Sequence, residues 1–112
     1  MKTSELSGVA LDWAVAKAEG IDGPSFVYQG ELYLGKNFDD EGVRYYGPST
    51  DWAQGGPIIE RVGMHLIYLG FGGEEEWEAY ILSDSKFTGP TPLIAAMRCY
   101  VASKLGDEVE VP

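Results

Sequence analysis

Gly89-Pro90-Thr91-Pro92-Leu93-Ile94-Ala95-Ala96-Met97-Arg98-Cys99-Tyr100-Val101-Ala102-Ser103-Lys104-Leu105-Gly106 is the stretch that decides the fold. Thr91 stands where an N-cap accepts a backbone N–H. Pro92 follows at the first helical position, where a missing N–H is no loss. Leu93, Ile94, Met97, Tyr100, Val101 and Leu105 recur at helical spacing and share one broad face. Lys104 suits the negative end of the helix dipole, and Gly106 ends the helix. Ala95, Ala96, Cys99, Ala102 and Ser103 line the other side, which is small rather than polar. Small side chains let another helix approach closely. Two partners fit that side: an alanine-rich first helix of the same chain, or a second subunit.

The first helix runs to about Glu19, with Ser7 or Ser4 as its cap and Gly20 as its left-handed stop. Leu11, Ala14, Val15 and Ala18 form one apolar stripe, and Val9, Trp13 and Ala16 form a second. Asp12 and Glu19 fall on the opposite side. Between the helices, Phe26–Tyr28 and Glu31–Leu34 flank Gln29-Gly30, a pair suited to a tight hairpin. Lys36–Gly42 reads as a polar loop carrying Asp39, Asp40 and Glu41. Val43–Tyr46, Ile58–Val62, His65–Leu69 and Trp77–Leu82 read as further strands, with Phe71–Glu76 as a junction. Gly47–Pro57 is irregular. Ser49 or Thr50 caps one helical turn around Trp52, and Gly55-Gly56 then turns the chain sharply. Val109 and Val111 add a short edge strand. The expected fold is one α+β domain over 1–112. Its antiparallel sheet has about four to six short strands, with an N-terminal and a C-terminal helix packed on one face.

A chain of 112 residues fits one core. Eighteen acids against eight bases give a net charge of −10. That excess argues against general nucleic-acid binding, where cations neutralise phosphates, and against docking on anionic lipid. One cysteine makes no internal disulfide and no zinc cluster, and no cofactor is expected. Residues 1–20 carry Glu5, Asp12 and Glu19 within the apolar pattern, unlike a signal-peptide core. Apolar runs such as Leu66–Leu69 fall far short of the roughly 20 residues that span a bilayer. A cytoplasmic setting is the default.

Few residues offer chemistry. His65 lacks both a neighbouring nucleophile and an orienting group, and reads as structural. Cys99 sits mid-helix among alanines and reads as packing. Glu74, Glu75, Glu76 and Glu78, like Asp39–Glu41, lack the spacing of a calcium loop and read as solvated charge. The glycines of Gly70–Gly73 lack the Lys-Ser/Thr of a phosphate loop. Gly47–Pro57 is different. It gathers an indole, hydroxyls, a carboxylate and an amide between glycines and prolines. Such a surface grips a small ligand, or else forms an Ω-loop pinned by its own tryptophan. Tyr45, Tyr46, Trp52 and Trp77 are candidate stacking platforms.

Three blocks carry a family resemblance. The opening Met-Lys-Thr-Ser-Glu-Leu-Ser-Gly-Val-Ala-Leu-Asp-Trp-Ala-Val-Ala-Lys-Ala-Glu-Gly, the central Pro48–Glu60 and the closing Gly89–Val101 with Gly106–Pro112 resemble the NinX-like family of bacteriophage proteins. The resemblance implies an infected bacterial cytoplasm and brings no catalytic motif. Together with the central loop, it leads to a phage counter-defence protein that binds and sequesters a nucleotide-derived immune signal, such as a cyclic ADP-ribose isomer or cyclic nucleotide. Tyr46 and Trp52 would stack on a base. Ser49, Thr50, Asp51 and Gln54 would bond ribose or base edges, Gly55 and Gly56 would present backbone N–H groups, and Arg98 would pair with phosphate. A homo-oligomer is expected, because two thin domains build a pocket that neither closes alone. The alternative is an acidic inhibitor that contacts a host defence protein directly. An enzyme that degrades the signal is the least favoured reading.

Overall fold

The computed structural model describes residues 1–70, 76–81 and 86–111. Among these residues, three α-helices and six strands follow in the order α1 (Gly8–Ala18), β1 (Ser25–Tyr28), β2 (Glu31–Leu34), β3 (Arg44–Tyr45), α2 (Trp52–Val62), β4 (His65–Tyr68), β5 (Trp77–Tyr80), β6 (Phe87–Gly89) and α3 (Pro92–Leu105). The α+β class is as the sequence predicts, and every pairing of these strands is antiparallel. The strands divide between two three-stranded sheets, β1-β2-β3 and β4-β5-β6.

The terminal helices begin and end as their sequences dictate. Thr91 Oγ1 accepts the Ile94 N–H at 3.1 Å, Pro92 opens α3, and Gly106 closes it at a positive φ of 89°. Ser7 holds the N-cap position of α1 without its side chain accepting a capping hydrogen bond, while Ser4 lies in the short 3-10 turn Thr3–Glu5. The β1–β2 connection is the two-residue turn expected of Gln29-Gly30. Both residues adopt positive φ, 51° and 77°, which matches the twist of the flanking strands.

The central segment departs from expectation. Ile58–Val62 is not a strand: it forms the C-terminal half of α2, which runs through Gly55, Gly56 and Pro57. Asp51 caps the helix by accepting the Ala53 N–H at 3.0 Å. Ile58 is buried, with Ile59 and Val62 against the core and Gly55 one turn earlier. That spacing is helical. Gly55 is a glycine for packing rather than for turning: a Cβ there would strike the Pro48 carbonyl oxygen and the Leu93 side chain.

α3 is the centre of the molecule. It packs on β5, β6, α1 and α2, and Leu93, Ala95, Ala96, Met97, Cys99, Tyr100 and Val101 are all buried. Of its small side, Ala95, Ala96 and Cys99 face the chain's own interior, while Ala102 is half-buried and Ser103 exposed. α1 supplies Leu11, Ala14, Val15 and Ala16 to the same core, and β2 supplies Leu32. At the far end of α1, Glu19 Oε2 accepts hydrogen bonds from Tyr100 Oη of α3 and from Arg61 Nη2 of α2. Three helices are thereby tied at one carboxylate. Burial, then the Glu19 carboxylate, push the Tyr100 hydroxyl up to about 12. The chain ends also meet. Val109 donates its N–H to Met1 O at 2.9 Å, and Lys2 bridges Glu108. The edge strand expected of Val109 and Val111 is thus an isolated bridge with the N-terminus. The junction at Phe71–Glu75, the end of the β5 reading at Leu82, and Pro112 lie outside the described residues.

Candidate functional site

β3 delivers the chain into the central loop, and the loop is knitted largely by its own residues. The Gln54 side chain accepts the Gly47 N–H at 3.1 Å and donates to Asp51 Oδ2 at 3.1 Å and to Tyr45 O at 3.4 Å. Thr50 and Asp51 both donate their N–H groups to Gly47 O. Gly55 donates its N–H to Asp51 O within α2, so that group serves the helix. Asp51 and Gln54 therefore act first as supports of the loop.

A buried carboxylate fixes the loop from below. Asp12, on α1, is 6% exposed and accepts the Ser49 N–H at 2.9 Å. Burial raises its pKa above the usual 3.8, and the hydrogen bond from Ser49 opposes that rise. The Ser49 hydroxyl is buried near the same carboxylate without reaching hydrogen-bond geometry. The sequence places Asp12 on the side of α1 opposite its first apolar stripe. The signal for its real role, a long-range partner in the central loop, is not local to the helix.

Above this support lies an open hollow of about 210 Å³, lined by Ser49, Thr50, Trp52, Thr91, Pro92, Leu93 and Ile94. The N-terminal ends of α2 and α3 both border it, since Trp52 and Pro92 are the first residues of those helices. Each such end carries partial positive charge, about half an elementary charge. Trp52 is 52% exposed, with Gly56 packed near its ring. The structure thus brings Ser49, Thr50 and Trp52 to one hollow.

Two other residues singled out in the sequence stand elsewhere. Tyr46 is buried beneath Arg44, its N–H bonded to Leu32 O, and burial followed by the charge of Glu19 lifts its hydroxyl to about 12. Its ring presents no open stacking face. Arg98 does not line the hollow. Its guanidinium donates to Leu6 O and to Thr88 O, each at 2.8 Å, joining the chain's start to β6. Burial lowers its pKa. His65 is exposed and stacks on Tyr80, its cross-strand partner, at 4.7 Å. Cys99 is buried within α3.

Larger hollows exist: about 400 Å³ between α1 and the β1–β2 hairpin, and about 480 Å³ beside Arg61 and Lys104. The first is mainly apolar. The second lies at the C-terminal ends of α2 and α3, whose dipoles are met there by the cations Arg61 and Lys104. Among the described residues no cluster of three or more His, Cys, Asp or Glu side chains is placed to hold a metal ion. Among them, too, no helix is long and apolar enough to cross a membrane.

The sequence model of the family described as Bacteriophage P22, NinX matches residues 2–104. A comparison with curated proteins finds no match.

Proposed function

This chain belongs to the Bacteriophage P22 NinX family, and on that premise we propose that it is a phage accessory protein that binds and sequesters a small nucleotide-derived signal of host defence. The observation that carries the reading is Trp52, half exposed beside a hollow at the N-terminal ends of two helices. An exposed indole offers a face to a base, and such stacking is worth about 1–3 kcal/mol per base. The Thr50 hydroxyl offers a hydrogen bond to a sugar or base edge. The α3 end favours the phosphate, against the Asp51 carboxylate that caps α2 and a net charge of −10. The hollow is smaller than the roughly 300–1,000 Å³ usual for small-ligand sites. A second copy of the chain completes it in this reading.

Calorimetric titration of the purified chain with cyclic ADP-ribose isomers and cyclic dinucleotides tests the proposal. One of them should bind with measurable heat, and Trp52→Ala should weaken it about tenfold or more. The bound compound should come off unchanged on denaturation. Absence of heat and of thermal stabilisation with every compound overturns the reading, and so does recovery of a degraded product.

A further inference from the structure

The outer face of the β1-β2-β3 sheet is built of aromatic rings where solvent-facing residues are ordinarily polar. The register places Phe26 opposite Tyr33, Tyr33 opposite Tyr45, and Tyr28 opposite Glu31, so these five share one face. The reverse face carries Leu32, which is buried in the core with α1 packed on β2. Phe38 reaches back over the outer face and meets Phe26, Tyr28 and Tyr33 edge-on at 5.0–5.1 Å. Phe26 stacks on Tyr33 at 5.4 Å. The loop bearing Phe38 is held closed by Asp40, whose carboxylate accepts the N–H groups of Lys36 and Gly42. Even so, Phe38 remains 53% exposed and Tyr28 49%.

The charge around this face has one dominant sign. Glu31 stands on it, and Asp39, Asp40 and Glu41 follow Phe38 directly, with Lys36 the loop's single cation. Ring faces attract cations through their quadrupole, and nearby carboxylates add Coulombic attraction. The same carboxylates repel phosphate. Arginine suits both features, because its guanidinium is weakly hydrated, stacks on rings and pairs bidentately with carboxylates. We infer that this aromatic face is a docking surface for an arginine-bearing, basic segment of another protein. It is separate from the Trp52 hollow and stands on observations of its own.

The probe is a fluorescently labelled oligo-arginine peptide, titrated with the intact chain at low salt and read by anisotropy. Oligo-lysine and oligo-glutamate serve as comparison peptides. Oligo-arginine should bind more tightly than oligo-lysine, and oligo-glutamate should not bind. Tyr28→Ala and Phe38→Ala should each weaken oligo-arginine about two- to fivefold. Asp39→Asn with Glu41→Gln should weaken it similarly. Glu108→Gln with Glu110→Gln, which removes equal charge from the C-terminal tail, should leave it nearly unchanged. Both aromatic side chains are exposed, so circular dichroism should report an intact fold. Equal weakening by the tail and loop variants would reduce the attraction to net charge and overturn the inference. So would affinity indifferent to both rings, or a face whose variants alter only self-association.

Discussion

Asp12 is the residue on which the central loop rests, and its energetics are those of a carboxylate held out of water. Burial raises its pKa above 3.8, so the folded chain holds this proton more readily than the unfolded chain. For an acid of raised pKa, folding is disfavoured once the group ionises. Its contribution to stability is most favourable below the unfolded value and falls as pH rises through the folded one. Asp12→Asn keeps an oxygen to accept the Ser49 N–H and removes the charge. Urea unfolding of both proteins across about pH 4 to pH 7 should show the variant gaining relative to the parent as pH rises. A difference that stays flat would mean the carboxylate is not desolvated as the fold implies. Asp12→Ala does something else: it leaves the Ser49 N–H without an acceptor. It should cost about 1–3 kcal/mol, read as a lower urea midpoint.

At the scale of elements, α2 is the instructive case. Thr91-Pro92 and Gln29-Gly30 were legible because cap and turn chemistry is local, and the structure uses both. Gly55-Gly56-Pro57 carries equally strong local signals, but they point the wrong way. The Asp51 cap, and the buried positions Gly55 and Ile58 followed by Ile59 and Val62, outweigh them once α3 is present to pack against. The same holds for the site. Trp52 and Thr50 were found by composition, whereas Asp12 becomes visible only when α1 and the loop meet in space. The two glycines of α2 separate packing from propensity. An added methyl at Gly55 strikes backbone and the Leu93 side chain, so Gly55→Ala should destabilise by about 1–3 kcal/mol. At Gly56 the nearest atom lies 3.8 Å away, on Trp52, and the helix gains from alanine. Gly56→Ala should therefore be neutral or stabilising by up to about 1 kcal/mol. Thermal melts of the two variants give the test, and equal effects would contradict the close α2–α3 approach.

At the scale of the whole molecule, a net charge of −10 opposes the self-association that would complete the Trp52 hollow. Two such chains repel until salt screens them, over a Debye length of about 8 Å at physiological ionic strength. A stable pair needs about 800 Å² from each partner. The chain exposes 6546 Å², so the area exists without disturbing the core. It must come from elsewhere than Ala95, Ala96 and Cys99 of α3, which the fold already uses. Association through the hollow should then strengthen with salt, as repulsion between like chains fades. It should strengthen further with a ligand shared between copies, since a bound phosphate group offsets none of the repulsion but adds contacts to both. Sedimentation across a salt series, with and without the compound that gives heat, reads this as mass above 12.2 kDa. Trp52→Ala should lower that mass at fixed salt. If the chain remains at 12.2 kDa in every condition while still binding ligand, the hollow closes by some other means and the second copy is unnecessary.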